Sequence, residues 1–136
     1  MRFSLTSSPS PGRQVRATPR RGEIWAAGLG NPPVRHWVLI VSLDARNASD
    51  RVNSVLIVPF GSAGYEGPTT LRLDPGETGL PAASYLKGHF ITTLTKDRLL
   101  RREGRVLSPS RMRQISQMIS RAFDPAAPYE PLRGGA

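Results

Sequence analysis

The chain contains only two histidines, His36 and His89, and each has a cation close by in sequence: Arg35 directly precedes the first, and Lys87 stands just ahead of the second. An imidazole with an ordinary pKa of about 6.5 holds both protonation states near neutrality, so either ring can accept a proton or return one. A neighbouring cation can stabilise negative charge that builds in a transition state. Each residue also has a structural alternative. Histidines cap strand ends, and Arg35 and Lys87 could be the solvated cations that strand edges carry against aggregation.

Other chemistries lack their residues. Cysteine is absent, which removes disulfides, thiolate metal sites and a thiol nucleophile. There is no Gly-rich phosphate loop, no His-x-x-x-His pair and no nucleophilic triad signature, so kinases, metallohydrolases and serine hydrolases are unsupported. No apolar run approaches the roughly twenty residues of a bilayer span, and the Arg-bearing N-terminus has no apolar h-region; the expectation is a cytoplasmic protein without membrane contact. The net charge of +9 comes from 19 Lys and Arg against 10 Asp and Glu, and nearly all the cations are arginine. Guanidinium grips phosphate bidentately where ammonium is a point charge, so a polyanionic partner is the natural reading. The alternative is that the charge only keeps the protein soluble.

With 136 residues, one domain is expected. Residues 1–20 carry Arg2, Arg13, Arg16 and Arg20 among Ser, Thr, Pro and Gly with no acid, the composition of a disordered basic arm. Such an arm attracts phosphate or acts as a spacer. The domain proper is assigned to residues 21–123 and a flexible Pro/Gly tail to residues 124–136. At its centre is His36 to Ser42, whose Val38, Ile40 and Val41 are β-branched, predicting a strand buried on both faces. A first strand over residues 21–29 turns Ile24 and Ala26 one way and Glu23 and Trp25 the other. Residues 53–60 predict a second buried strand beside the central one. Residues 61–68 form a flexible loop, 69–74 alternate as a half-exposed strand, and 83–91 read as a fifth strand with Tyr85, Lys87 and His89 on one side. A helical turn is expected near 95–100 and a short strand at 105–107. The final helix is plain: Ser108 as N-cap, Pro109 at N1, and Met112, Ile115, Ile119, Ala122 and Phe123 at helical spacing up to Pro125. Close strand spacing makes the fold mainly β, an antiparallel sheet or barrel with a C-terminal amphipathic helix.

Several phrases in this order resemble the MazF/PemK family of toxin endoribonucleases. Arg21-Gly22-Glu23-Ile24-Trp25 is similar to the family's opening strand, and Val38-Leu39-Ile40-Val41-Ser42 with Asp44-Ala45-Arg46-Asn47 to its second strand and turn. Val58-Pro59-Phe60-Gly61-Ser62, Thr78-Gly79-Leu80, Thr93 to Leu99 and Gly104 to Ser108 follow in register. The resemblance covers residues 20–123. It implies a small SH3-like barrel shared with the CcdB toxins, a homodimer, cleavage of single-stranded RNA without metal or other cofactor, and an acidic antitoxin that occupies the RNA groove. The rival is a barrel that has lost cleavage and binds a protein target such as gyrase, or binds RNA without cutting it.

The departures from the family pattern fall where its chemistry sits. His36-Trp37 stands where the family carries Arg-Pro, Gly61 where it carries threonine, and His89-Phe90 where it carries Asp/Glu-Gln. Metal-free RNA cleavage needs a base for the 2′-hydroxyl proton, an acid for the leaving 5′-oxygen and a donor or cation for the phosphorane-like charge. The expected catalytic set is therefore His36 and His89 as acid–base pair, Arg35 and Lys87 as phosphate cations, and Ser62 as hydrogen-bond donor, with products ending in cyclic phosphate and 5′-hydroxyl. The expected substrate contacts are Phe60, Tyr65 and Phe90 as stacking faces, Gly61 in the groove, and Glu23 orienting a cation. Trp25 and Trp37 are left as core or dimer-contact residues.

Overall fold

The structure, a computed structural model, describes residues 18–129. Residues 1–17 of the expected arm and 130–136 of the expected tail lie outside the described residues.

Seven antiparallel strands form the sheet: β1 (Ile24–Leu29), β2 (Val34–Ile40), β3 (Ser54–Gly61), β4 (Thr70–Leu73), β5 (Ser84–Lys87), β6 (Thr92–Thr95) and β7 (Leu99–Glu103). Their order is β4-β5-β3-β2-β1-β7, with β6 also paired to β3. Two single-turn helices, α1 (Asp44–Asn47) and α2 (Pro75–Thr78), interrupt the strands, and α3 (Pro109–Ser120) closes the chain. The mainly β fold with a C-terminal helix is the one the sequence predicts, and β2 and β3 do lie side by side, from Val38↔Pro59 to Ile40↔Ile57. β3 changes partners along its length, pairing β6 from Ser54 to Ile57 and β5 at Phe60 and Gly61. Pro59, with no N–H to give to a ladder, sits between those two pairings.

Strand alternation divides the apolar residues into two cores. Ile24, Leu39, Val58, Phe60, Leu71, Leu73 and Leu86 meet Met112, Ile115, Met118 and Ile119 of α3. Trp25, Ala27, Val38, Ile40, Val55, Ile57, Leu94 and Leu99 pack on the other side of the central strands. This bears out the predicted division of β1, and Trp25 is core. β2 is covered on both faces only from Val38 to Ile40; its first residues, Val34 to His36, are exposed. α3 starts as expected, with the Ser108 hydroxyl accepting the Arg111 N–H at 3.1 Å. Arg21 ties this helix to the sheet, its guanidinium donating to the Val41 carbonyl and, at 2.6 Å, to the Ser116 hydroxyl.

Four local expectations are corrected. The fifth strand stops at Lys87, and Gly88–Phe90 forms a 3-10 turn. Gly88 passes so close to α3 that a Cβ on it would lie 2.9 Å from the Ile119 Cα, while its N–H donates to the Thr69 carbonyl at 2.7 Å. The expected strand at 105–107 is absent. The last strand is instead β7, ended by Gly104 at φ +71°, where a Cβ would stand 2.5 Å from the Thr78 carbonyl oxygen. Phe123 is not core: α3 ends at Ser120, and the ring is 72% exposed. Beyond it, residues 124–129 fold back rather than fray, with Arg121 Nε donating to the Pro128 carbonyl at 2.6 Å and the Arg121 guanidinium 4.8 Å from the Tyr129 ring centre.

The contact at Gly88 yields a direct expectation. Gly88→Ala must push the turn away from the α3 backbone and should cost about 1–3 kcal/mol, read by urea unfolding against wild type; an unchanged midpoint would contradict the close approach.

Candidate active site

In a strand, neighbouring side chains leave on opposite faces, and residues directly opposite across an antiparallel pair share a face. His36 therefore leaves β2 on the side of Val38 and Ile40, and Arg35 on the side of Trp37 and Leu39. Val38 opposes Pro59, so His36 and Gly61 continue that face beyond the last paired residues. On β5, Leu86 opposes Phe60 and points into the core with it, which turns Lys87 and Tyr85 to the face of His36. One sheet face thus carries His36 on β2, Gly61 at the end of β3, and Tyr85 and Lys87 on β5.

The loop after β3 lies over this face. Gly64 has φ +154°, and a Cβ there would sit 3.2 Å from Lys87 Cε and 3.4 Å from Tyr85 Cδ2, so a bare backbone is needed for the loop to rest on both side chains. Ser62 is exposed in the same loop. Tyr65, at 92% exposure, presents its whole ring to solvent. Beside them, Lys87 Nζ is 5.7 Å from the centre of the half-exposed Phe90 ring, and Phe90 meets the His89 ring edge-on at 4.6 Å. His89 Nδ1 lies 2.9 Å from the Thr69 hydroxyl, which fixes the ring and leaves Nε2 as its other nitrogen. His89 is thus an exposed neighbour of Lys87 on the 3-10 turn, not a third member of the Tyr85–Lys87 row.

Three expected site residues are placed elsewhere. Arg35 is on the opposite face, bound to Glu103 at 2.7 Å. Phe60 is only 8% exposed and packs in the core beneath α3, so its ring is not open for stacking. Glu23 lies at the far end of β1, next to Ile40, and is 6% exposed. Its carboxylate accepts the Arg20 N–H at 2.9 Å, Trp25 Nε1 at 3.0 Å and Arg102 Nη1 at 3.2 Å, which makes it a satisfied structural acid. Tyr85, which the sequence places beside Lys87 without a role, and Thr69 are further neighbours of the site. The Tyr85-x-Lys87 spacing was a usable signal for the first; the second needs the bend at Gly88.

The hairpin that carries Arg35 and His36 is pinned from outside its own strands. Arg98 Nη1 donates to the Gly30 carbonyl at 2.7 Å and lies 3.4 Å from that of Gly28. On the far face Glu103 gathers Trp37, Arg35 and Arg101. The Trp37 Nε1 hydrogen bond, helped by that of Arg101 and the charge of Arg35, holds the Glu103 carboxyl below its ordinary value of 4.5 despite its partial desolvation. A depressed native pKa stabilises the fold above the unfolded value and ceases to do so as pH falls through the native one. The stability advantage of wild type over Glu103→Gln should therefore hold at neutral pH and shrink below about pH 4.5, as read by urea unfolding at several pH values; an advantage independent of pH would contradict this network.

Matches to known proteins give the family of the fold. Residues 20–123 match the family described as PemK-like, MazF-like toxin of type II toxin–antitoxin system. A mycobacterial endoribonuclease solved in complex with its cognate antitoxin is 28% identical, with a TM-score of 0.65 over 82% of this chain and 99% of its own. A second mycobacterial endoribonuclease is 27% identical, with a TM-score of 0.64 over 81% of this chain and 95% of its own. The Mycobacterium tuberculosis toxin MazF-mt6, at 22% identity, shares the fold with a TM-score of 0.64 over 75% of this chain and 96% of its own. With the family match spanning the whole sheet and α3, the chain belongs to the PemK-like, MazF-like toxins of type II toxin–antitoxin systems.

Proposed function

We propose that this toxin is a metal-independent endoribonuclease that cuts single-stranded RNA by attack of the 2′-oxygen. The observation that carries the reading is the placement of His36 and Lys87 on one sheet face, with the loop after β3 resting on Lys87 and with His89 on the adjoining turn. A phosphodiester laid on this face meets Lys87 as a cation, with the Ser62 hydroxyl as a donor to its oxygens. His36 accepts the 2′-hydroxyl proton while O2′ forms its bond to phosphorus. The bond to the 5′-oxygen breaks, and His89, held through Nδ1 by Thr69, gives its proton to that oxygen. The products are a 2′,3′-cyclic phosphate and a 5′-hydroxyl, and the two imidazoles exchange protonation states. Tyr65 and Phe90, both exposed, offer rings on which flanking bases stack.

One mycobacterial relative is solved in complex with its cognate antitoxin; for this toxin the proposed regulator is an acidic antitoxin segment that competes with RNA for the same face. The +9 charge supports such a partner as well as RNA. A homodimer is proposed as the working unit.

Purified protein incubated with a long single-stranded RNA in EDTA should release discrete fragments. His36→Ala or His89→Ala should each slow the cut by about 100-fold or more, and Lys87→Ala by about 10- to 1,000-fold. Silence of the wild type would overturn the reading in favour of RNA or protein binding without cutting, and cleavage unchanged in both histidine variants would overturn the acid–base roles of His36 and His89.

A further inference from the structure

Arg35 was expected beside His36, and strand alternation sends it to the other face, where it joins a cluster that the proposed reaction does not use. Register places Arg35 opposite Gly28, Trp37 opposite Ala26, and Ala26 in turn opposite Arg101 on β7. Between the two arginine-bearing strands, β1 therefore presents a hydrogen and a methyl group, a shallow channel across which long side chains can meet. Glu103 bridges it. Its Oε1 accepts Trp37 Nε1 at 2.6 Å, and its Oε2 accepts both Arg35 Nη2 at 2.7 Å and Arg101 Nε at 2.8 Å.

The carboxylate side chain is 17% exposed, while Arg35 and Arg101 are 57% and 74% exposed. Each guanidinium spends one nitrogen on Glu103 and keeps its remaining N–H groups toward solvent. Ion pairs this exposed contribute little stability. What Glu103 supplies is orientation: it holds two flexible cations as a fixed fork with a net charge of +1. Arg35 is also the residue next to His36, on the part of β2 that projects beyond the core, so a chain passing over that end can touch both faces.

Resting on the endoribonuclease reading above, we infer that Arg35 and Arg101, held by Glu103, form a second phosphate site that grips the RNA backbone away from the bond being cut. Planar guanidinium forks match phosphate oxygens bidentately. A phosphodiester is favoured over a carboxylate of an acidic peptide because the fork adjoins His36, the residue that would take the 2′-hydroxyl proton beside the bond being cut. Arg35 thus acts in binding, and Glu103 and Trp37 are positioning residues.

The test uses the full-length protein and an uncleavable 2′-O-methyl RNA of mixed sequence, with affinity followed by fluorescence anisotropy across a salt series. Arg35→Gln and Arg101→Gln should each weaken binding by about 3- to 10-fold and reduce the slope of log affinity against log salt by about 0.7. Glu103→Gln adds net positive charge, so simple attraction predicts tighter binding; the fork predicts weaker binding. Arg101 is largely exposed, so its variant reports on RNA even if Glu103→Gln folds poorly. Unchanged affinity and slope in both arginine variants would overturn the proposal. So would a tighter Glu103→Gln variant, or variants that lose affinity for an oligoglutamate peptide but not for RNA. The same preparations, assayed on cleavable RNA in EDTA, separate the two readings. Binding defects without wild-type cleavage would refute the nuclease and leave the phosphate site standing; normal cleavage without binding defects would refute the phosphate site alone.

Discussion

The two-residue period of β2 is the constraint on which the rest depends. Val38 and Leu39 are both fully buried, and each belongs to a different core, so the strand cannot slip by one residue without expelling an apolar side chain from both. That lock extends outward to residues no core touches. His36 is committed to the face of Lys87 and Tyr85, and Arg35 to the face of Glu103 and Arg101. The hydrophobic pattern of the strand's second half thereby decides the chemistry available at its first half.

Magnitudes show which interactions hold the fold and which arrange the site. Met112, Ile115, Met118 and Ile119 of α3 are buried against the sheet, and burial of such side chains is worth about 1.5–3 kcal/mol each. Exposed ion pairs such as Arg72–Asp74 are worth about 0–1 kcal/mol. Packing of α3 therefore fixes the frame, and the charged networks set directions within it. The Gly88 turn shows how the frame reaches the site, since a residue without a Cβ lets the turn pass against α3, and the turn carries His89 off β5 to its contact with Thr69.

Sequence reading succeeded where local pattern and tertiary structure agree. The β-branched run of β2, the apolar run of β3, the two-faced β1 and the Ser108-Pro109 start of α3 are all present. It failed where a distant element decides. Gly88 looks like an ordinary glycine in a strand until α3 lies against it. Phe60 was expected as a stacking face for bases, but its partner Leu86 shows that it shares the face of the α3 core. Phe123 continued the helical spacing past the residue where α3 stops. The Arg35–Glu103 contact joins residues 68 positions apart, and no local spacing signals it.

The central claim is that RNA itself supplies the nucleophile, with the face around His36, Lys87 and His89 moving the protons. The most direct measurement is mass spectrometry of the fragments released from single-stranded RNA in EDTA. Attack by O2′ predicts 2′,3′-cyclic phosphates and 5′-hydroxyls, and no fragments when the RNA carries 2′-O-methyl groups throughout. Fragments with 5′-phosphate ends, or cutting that survives 2′-O-methylation, would contradict it.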